Sequence, residues 1–287
     1  MGSAVAGIGR FPTVSRVKVA LITGAARRGG IGRAIAERLL RDGYAVVVSD
    51  LGAPMDTHPD YASAQPTELD EAVGDLGANA AGHPCDVRDA DQVEALIDFA
   101  VERFGRLDVL VNNAGVAIGL SPVVDLSEDD WRVNLDVMAT GVFLCSRAAA
   151  RRMIEQGDGG RIVTVASQAG KLGSPLLAAY SAAKFAAIGF TQSLAHELGE
   201  HGITVNAVCP GTVLTPMLDV PGGIFDVYPR MAGITREQYE RKLLRTIPAG
   251  RFETPEDVAA AVGFLVSGDA AYITGEALNV SGGQTMA

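Results

Sequence analysis

"VKVALITGAARRGGIGRAIAERLLRDG", residues 17–43, decides the fold. Its first seven residues are almost all apolar and rich in β-branched side chains, and they stop at Gly24. That pattern predicts a strand buried on both faces. A run of Gly, Ala and Arg follows. From Ile31 apolar residues recur at helical spacing until Gly43, which predicts a helix with a glycine stop. Strand, glycine turn and helix together open a βαβ unit. There, glycines let the backbone approach a pyrophosphate and the helix N-terminus offers it free N–H groups. Gly24, Arg28, Gly30 and Ile31 are therefore candidate cofactor contacts.

Downstream, strand and helix patterns keep alternating. "YAVVVSD" (44–50) predicts a second buried strand, and residues 51–66 a long loop with Pro and Asp. Thr67 is placed to cap a helix through "ELDEAVGDLG". "NAAGHPCDV" is a weak third strand and residues 89–105 an amphipathic helix. "LDVLVNNAG" is a fourth strand, residues 127–157 read as one long helix, and "GRIVTVAS" (160–167) is a fifth strand. A helix starts near Ala178, "ITVNAVCPG" is a sixth strand, residues 254–268 a further helix and "GEALNVSGG" a last strand. Such alternation requires an α/β fold: a doubly wound, mostly parallel sheet of the Rossmann kind, with helices on both faces. Residues 213–250 interrupt it. An insertion beyond a strand's carboxyl end predicts a lid over the ligand.

Composition bounds the reading. The 287 residues are 48% hydrophobic and 20% charged, which suits one domain over residues 17–287 after a flexible extension over 1–16. The formal net charge of −10 and the lack of a Lys/Arg run argue against nucleic acid. No apolar run reaches membrane-spanning length, and the first residues lack a signal peptide's pattern. Cys85, Cys145 and Cys209 lie in apolar stretches, as free thiols of a reducing, cytoplasmic protein would.

Asp50 ends the second strand. A carboxylate there can accept hydrogen bonds from the adenosine ribose and repel a 2′-phosphate, so it favours NAD over NADP. Arg27 and Arg28 could clamp an extra phosphate and pull the other way. Asp50 weighs more, because it would stand where the 2′ position lies.

"SQAGKLGSPLLAAYSAAKFAA" (167–187) holds the chemistry. Tyr180 and Lys184 are one helical turn apart and share a face. An ammonium near a phenol favours the phenolate and lowers its pKa. Tyr180 could then exchange a proton with an alcohol or ketone near neutral pH. Ser167, at the end of the fifth strand, could hold the same oxygen.

With these residues in place, the chain closely resembles the short-chain dehydrogenases/reductases, over about residues 17–283. "TGAARRGGIG" is similar to that family's coenzyme turn. "CDV", with Asp86 and Val87, resembles its adenine contact. "NNAG", with Asn113, Ala114 and Gly115, is similar to the strand end that lines adenosine and ribose. "PGTVLTP" resembles the segment whose Pro210, Gly211, Val213 and Thr215 face the nicotinamide, and Leu51 falls beside Asp50 at the adenosine end. The resemblance implies Tyr180 as general acid/base. It gives Lys184 the nicotinamide ribose and the lowering of the tyrosine pKa, and Ser167 the positioning of substrate. It also implies hydride transfer with no metal, and a homotetramer or else a dimer.

Two departures stand out. The coenzyme turn has two extra residues between Gly24 and Gly30. A fourth catalytic residue, an Asn three residues before the Gly of the long middle helix, is replaced by Met138, with Asn134 one turn too early. Three functions compete. The leading one is an NAD-dependent alcohol dehydrogenase or ketone reductase acting on a small alcohol or ketone, a polyol or cyclic alcohol among them. The second is an NADPH-dependent 3-oxoacyl thioester reductase, against which Asp50 speaks. The third is an NAD-binding scaffold impaired by Met138.

Overall fold

The computed structural model describes residues 17–286 except 62 and 64; the extension expected over residues 1–16 lies outside them. Seven parallel strands form one sheet in the order β3-β2-β1-β4-β5-β6-β7. They are β1 (Val19–Thr23), β2 (Ala45–Asp50), β3 (Ala80–Pro84), β4 (Val109–Asn112), β5 (Gly160–Val165), β6 (Ile203–Pro210) and β7 (Ala277–Val280). Successive strand residues point to opposite faces. Leu21, Val47, Leu110 and Ile162 enter one core, with α3 (Ala90–Phe104), α5 (Gly141–Gln156) and α6 (Ala178–Leu198). Ile22, Val48, Val111 and Val163 enter the other, with α1 (Ile31–Arg41), α2 (Pro66–Leu76) and α10 (Pro255–Val266). The doubly wound reading therefore holds, with every pairing parallel among the described residues.

The chain winds outward from β1 to β3, then returns to lay β4 against the other side of β1. The two connections leave the sheet in opposite directions, and a crevice opens at the strands' carboxyl ends. Every predicted site residue on a strand lies at that end.

Three local readings change. Helix α2 starts at Pro66, and Gln65, not Thr67, caps it: the Gln65 N–H donates to Glu68 Oε2 at 2.7 Å. Proline suits a first helical position, where its missing N–H would have no partner. The long middle helix is not uniform. Residues Glu128–Leu135 (α4) and α5 are joined by a π-helical turn, Asp136–Thr140. The segment 213–250 holds three helices, α7 (Pro216–Asp219), α8 (Ile224–Ala232) and α9 (Arg236–Leu244). Pro229 inside α8 disguises its period in the sequence; burial of Phe225 and Val227 holds that helix.

Candidate active site

The β1–α1 turn builds the cofactor end. Gly24 has φ +65°, and a Cβ there would stand 2.7 Å from Ala114 Cα. A Cβ on Gly32 would meet Asn113 Nδ2 and Gly24 O at 2.5 Å. Glycine at both sites lets β1, α1 and β4 close on one another. Asn113 completes the joint, donating to the Thr23 and Gly24 carbonyls at 2.9 and 2.8 Å. Helix α1 has no side-chain cap and no acidic residue in its first turn, so its N–H groups and positive dipole end suit a diphosphate. The two extra residues form a tight turn: Gly30 N–H donates to the Arg27 carbonyl at 3.2 Å, and Gly29 takes φ +71°.

This turn corrects one expectation. Gly24, Gly30 and Ile31 line the cleft, as do Asp50, Leu51, Asp86, Val87, Asn113, Ala114, Gly115, Pro210, Gly211, Val213 and Thr215. Arg28 does not. Its side chain is 71% exposed and pairs with Asp75 of α2 at 2.7 Å. The turn swings it outward and leaves Arg27 lining the cleft.

Asp50 stands at the adenosine end. Its Oδ2 accepts from Ala26 N–H at 3.1 Å and its Oδ1 from Leu51 N–H at 2.9 Å. Burial still raises its pKa, against those bonds and the nearby Arg27. A desolvated carboxylate with spare lone pairs suits ribose hydroxyls. Asp86, by contrast, is committed to Arg88 through a bidentate pair, with a contact of 2.6 Å.

The sheet edge and α6 bring Ser167, Tyr180 and Lys184 together. Ser167 is buried just past β5, its Oγ accepting from Ala169 N–H at 3.1 Å. Its hydroxyl pulls the pKa of the nearby Tyr180 phenol down. Lys184 is 5% exposed, donates to the Val165 carbonyl at 2.7 Å and lies 5.6 Å from the Tyr180 ring centre. The expected lowering of the phenol pKa is not what results. Desolvation pushes Tyr180 up, more than Ser167 pulls it down. It also drives the Lys184 ammonium down to about 8. Burial opposes the charged form of both groups. The phenol stays protonated at neutral pH, poised to donate to a carbonyl oxygen.

Met138 sits in the π turn, 1% exposed. A Cβ placed on Gly115 would lie 3.5 Å from its Sδ and 3.8 Å from Lys184 Nζ, so thioether and ammonium share one wall of the cleft. Four contributors went unpredicted. Tyr61 comes from the loop after β2, Tyr228 and Tyr239 from the lid, and Gln284 from the last described turn; all line the cleft. The cleft encloses about 480 Å³.

The family model for enoyl-(acyl carrier protein) reductases matches residues 24–285. A short-chain dehydrogenase/reductase of Armillaria gallica is 42% identical over 94% of this chain and 97% of its own. The chain belongs to the short-chain dehydrogenase/reductase family. A 3-oxoacyl-[acyl-carrier-protein] reductase of Synechocystis is 38% identical, covering 96% of this chain and 99% of that one. A crystal structure of an actinorhodin polyketide ketoreductase variant with NADPH superposes with a TM-score of 0.82, at 38% identity over 93% and 97% of the two chains. This short-chain dehydrogenase/reductase is thus an oxidoreductase with a nicotinamide site, and the uncapped α1 and glycine cradle fit that group. When bound, the nicotinamide supplies the hydride exchange. The chain itself brings the Ser167 hydroxyl, the Tyr180 phenol and the Lys184 ammonium to one cleft, groups able to hold a substrate oxygen and exchange a proton with it.

Proposed function

We propose that this enzyme reduces the keto group of a 3-oxoacyl-type or polyketide-type substrate to a secondary alcohol, and runs in reverse at higher pH. The observation that carries this is the convergence of Ser167, Tyr180 and buried Lys184 on one cleft, with burial holding the phenol protonated and so suited to protonate a carbonyl oxygen. The names of the relatives shift the substrate from the polyols and cyclic alcohols expected of the sequence towards ketones of this type.

On the cofactor, residue and relatives pull apart. Asp50 favours NAD(H), because a 2′-phosphate beside it would add charge to an already desolvated carboxylate. We adopt NAD(H) on that ground. The second reading, NADPH, is supported by Arg27 at the same end of the cleft and by the NADPH of the similar ketoreductase. The enzyme works as a homotetramer or else a dimer. Its three buried free thiols suit a reducing compartment such as the cytoplasm.

Steady-state reduction of a 3-oxoacyl N-acetylcysteamine thioester, with NADH and NADPH in parallel, tests both parts. A kcat/KM higher with NADH by on the order of a hundredfold corresponds to ~2–3 kcal/mol of discrimination. Equal or better efficiency with NADPH selects the second reading. No reduction with either cofactor, for this thioester and for simple ketones, refutes the activity.

A further inference from the structure

The lid carries an aromatic cluster that proton and hydride transfer do not use. Phe225 of α8 is buried, edge-on to Tyr239 of α9 at 6.3 Å and to Phe252 beyond the lid at 6.4 Å. The Arg236 guanidinium lies 4.8 Å over the Phe225 ring, bonds Glu240 at 2.7 Å and pairs with Asp219 of α7. One phenylalanine and one arginine thereby lock the three lid helices into a single piece. On it, Tyr228 stacks against Tyr239 with ring centres 5.7 Å apart and planes 28° apart. Both rings are half-buried and line the cleft.

A second contact places this pair near the chemistry. The Tyr228 hydroxyl donates to the Pro175 carbonyl, in the loop that joins Ser167 to Tyr180. The next residue, Leu176, has φ +65°, and it is the one non-glycine at positive φ among the described residues. A leucine holds that conformation only where its surroundings impose it, and such residues gather at ligand sites. Charge is distributed to match. Among the described lining residues, the charged ones besides Lys184 are Arg27, Asp50, Asp86 and Arg88, all at the carboxyl ends of β1, β2 and β3. The lid adds Leu218, Ile224 and Leu243 beside the two tyrosines.

We propose that Tyr228 and Tyr239 form the specificity wall of the substrate cleft, selecting ketones that carry a flat, uncharged ring next to the keto group. The inference rests on the ketone-reducing activity proposed above. A ring against these faces gains offset stacking beyond its buried area. A charged or polyhydroxylated substrate loses its hydration there and finds no charged side chain of the lid among the described lining residues to replace it. The Tyr228 hydroxyl already donates to the Pro175 carbonyl, so that residue offers its ring face to the cleft.

Steady-state kinetics with 2-tetralone, ethyl acetoacetate and dihydroxyacetone test this. Wild type is expected to prefer 2-tetralone over each of the others by at least tenfold in kcat/KM. Tyr228→Ala combined with Tyr239→Ala should cut that preference at least tenfold. Tyr228→Phe, which keeps the ring, should retain most of it. NADH binding, read by fluorescence, certifies that each variant still folds; if the double variant fails there, Tyr239→Leu replaces it. A wild type indifferent to the ring, or a preference untouched by these substitutions, overturns the wall. If wild type reduces no ketone, the activity reading is at fault. Calorimetry of 2-tetralone with the enzyme–NADH complex then decides the wall: weaker binding to Tyr239→Leu upholds it, and equal binding overturns it.

Discussion

Tyr180 and Lys184 are the residues whose burial has kinetic consequences. Tyr180→Phe keeps the ring and removes the proposed proton-transfer group. It should cost at least ~10²-fold in kcat, the usual scale of general acid–base help. NADH affinity should hold, since Lys184 and the glycine turn remain; turnover near the wild-type rate would show that another group moves the proton. The direction of reaction follows from the same site. With the phenol raised and Lys184 near 8, alcohol oxidation should accelerate as pH rises from 7 to 9, while ketone reduction does not gain. Parallel pH profiles of kcat/KM in the two directions check this. At the adenosine end, Asp50→Ser should narrow the preference for NADH, read as the ratio of the two kcat/KM values.

Glu253 poses a different problem at this scale. It is 8% exposed, accepts from Gly211 N–H at 2.8 Å through Oε2, and its Oε1 has no partner. Burial pushes it up to about 7, helped by Asp257 and opposed by the Gly211 bond and Arg251. Such a carboxyl binds its proton more tightly folded than unfolded. Its contribution is therefore most favourable below its ordinary value of 4.5 and is lost as pH rises through about 7. Glu253→Gln should flatten the fall in Tm between pH 5 and 8. An unchanged slope would place the titration elsewhere.

Among the elements, the π turn and the lid neck carry the weight. Met138, which stands where the family resemblance expects a catalytic Asn, lies within the π turn over Asp136–Thr140. Packing of Val137 and Met138 into the core maintains it without a side-chain amide. Met138→Asn should accordingly change kcat by no more than about tenfold, roughly 1.4 kcal/mol of barrier. A wild type that binds NADH yet turns over nothing, beside an active Met138→Asn, would instead make the chain a scaffold. The lid leaves and rejoins the body at one place. Leu214 N–H donates to the Glu253 carbonyl at 3.0 Å and Glu253 N–H to the Thr212 carbonyl at 3.1 Å. The segment that follows β6 is thus clamped by the same residue that closes the lid's base.

On the scale of the whole molecule, apolar side chains remain on the outer faces of α4 to α6. Phe143 and Phe185 are 40% and 47% exposed, and Trp131 and Ile154 are similarly open. Phe143 is braced edge-on by Phe190 at 6.0 Å and by the Arg147 guanidinium at 4.9 Å, so it is held outward rather than loose. Rigid exposed aromatics of this sort suit a subunit contact. Native mass measurement should find a tetramer or dimer, and Phe143→Glu with Phe185→Glu should reduce it. A monomeric wild type would refute the assembly. No helix among the described residues is long and apolar enough to cross a membrane.

The sequence by itself determined the alternation of strands and helices, and with it the parallel sheet and the crevice at the strands' carboxyl ends. It also determined the proximity of the proposed catalytic trio, because Tyr180 and Lys184 are neighbours on a helix whatever lies around them, and Ser167 closely follows a strand that the pattern marks plainly. These are short-range facts, carried by periodicity and by glycine. What only the tertiary structure decided is long-range. Arg28 leaves the cleft because two inserted residues turn the chain, and a ladder of spacings cannot say which way. The phenol of Tyr180 rises instead of falling because desolvation depends on everything packed around it, while the sequence displays only its nearest charge. Tyr61, Tyr228 and Gln284 reach the site from segments with no period of their own. Their places follow from how those loops close over the sheet edge, and that closure is set by burial across the whole molecule.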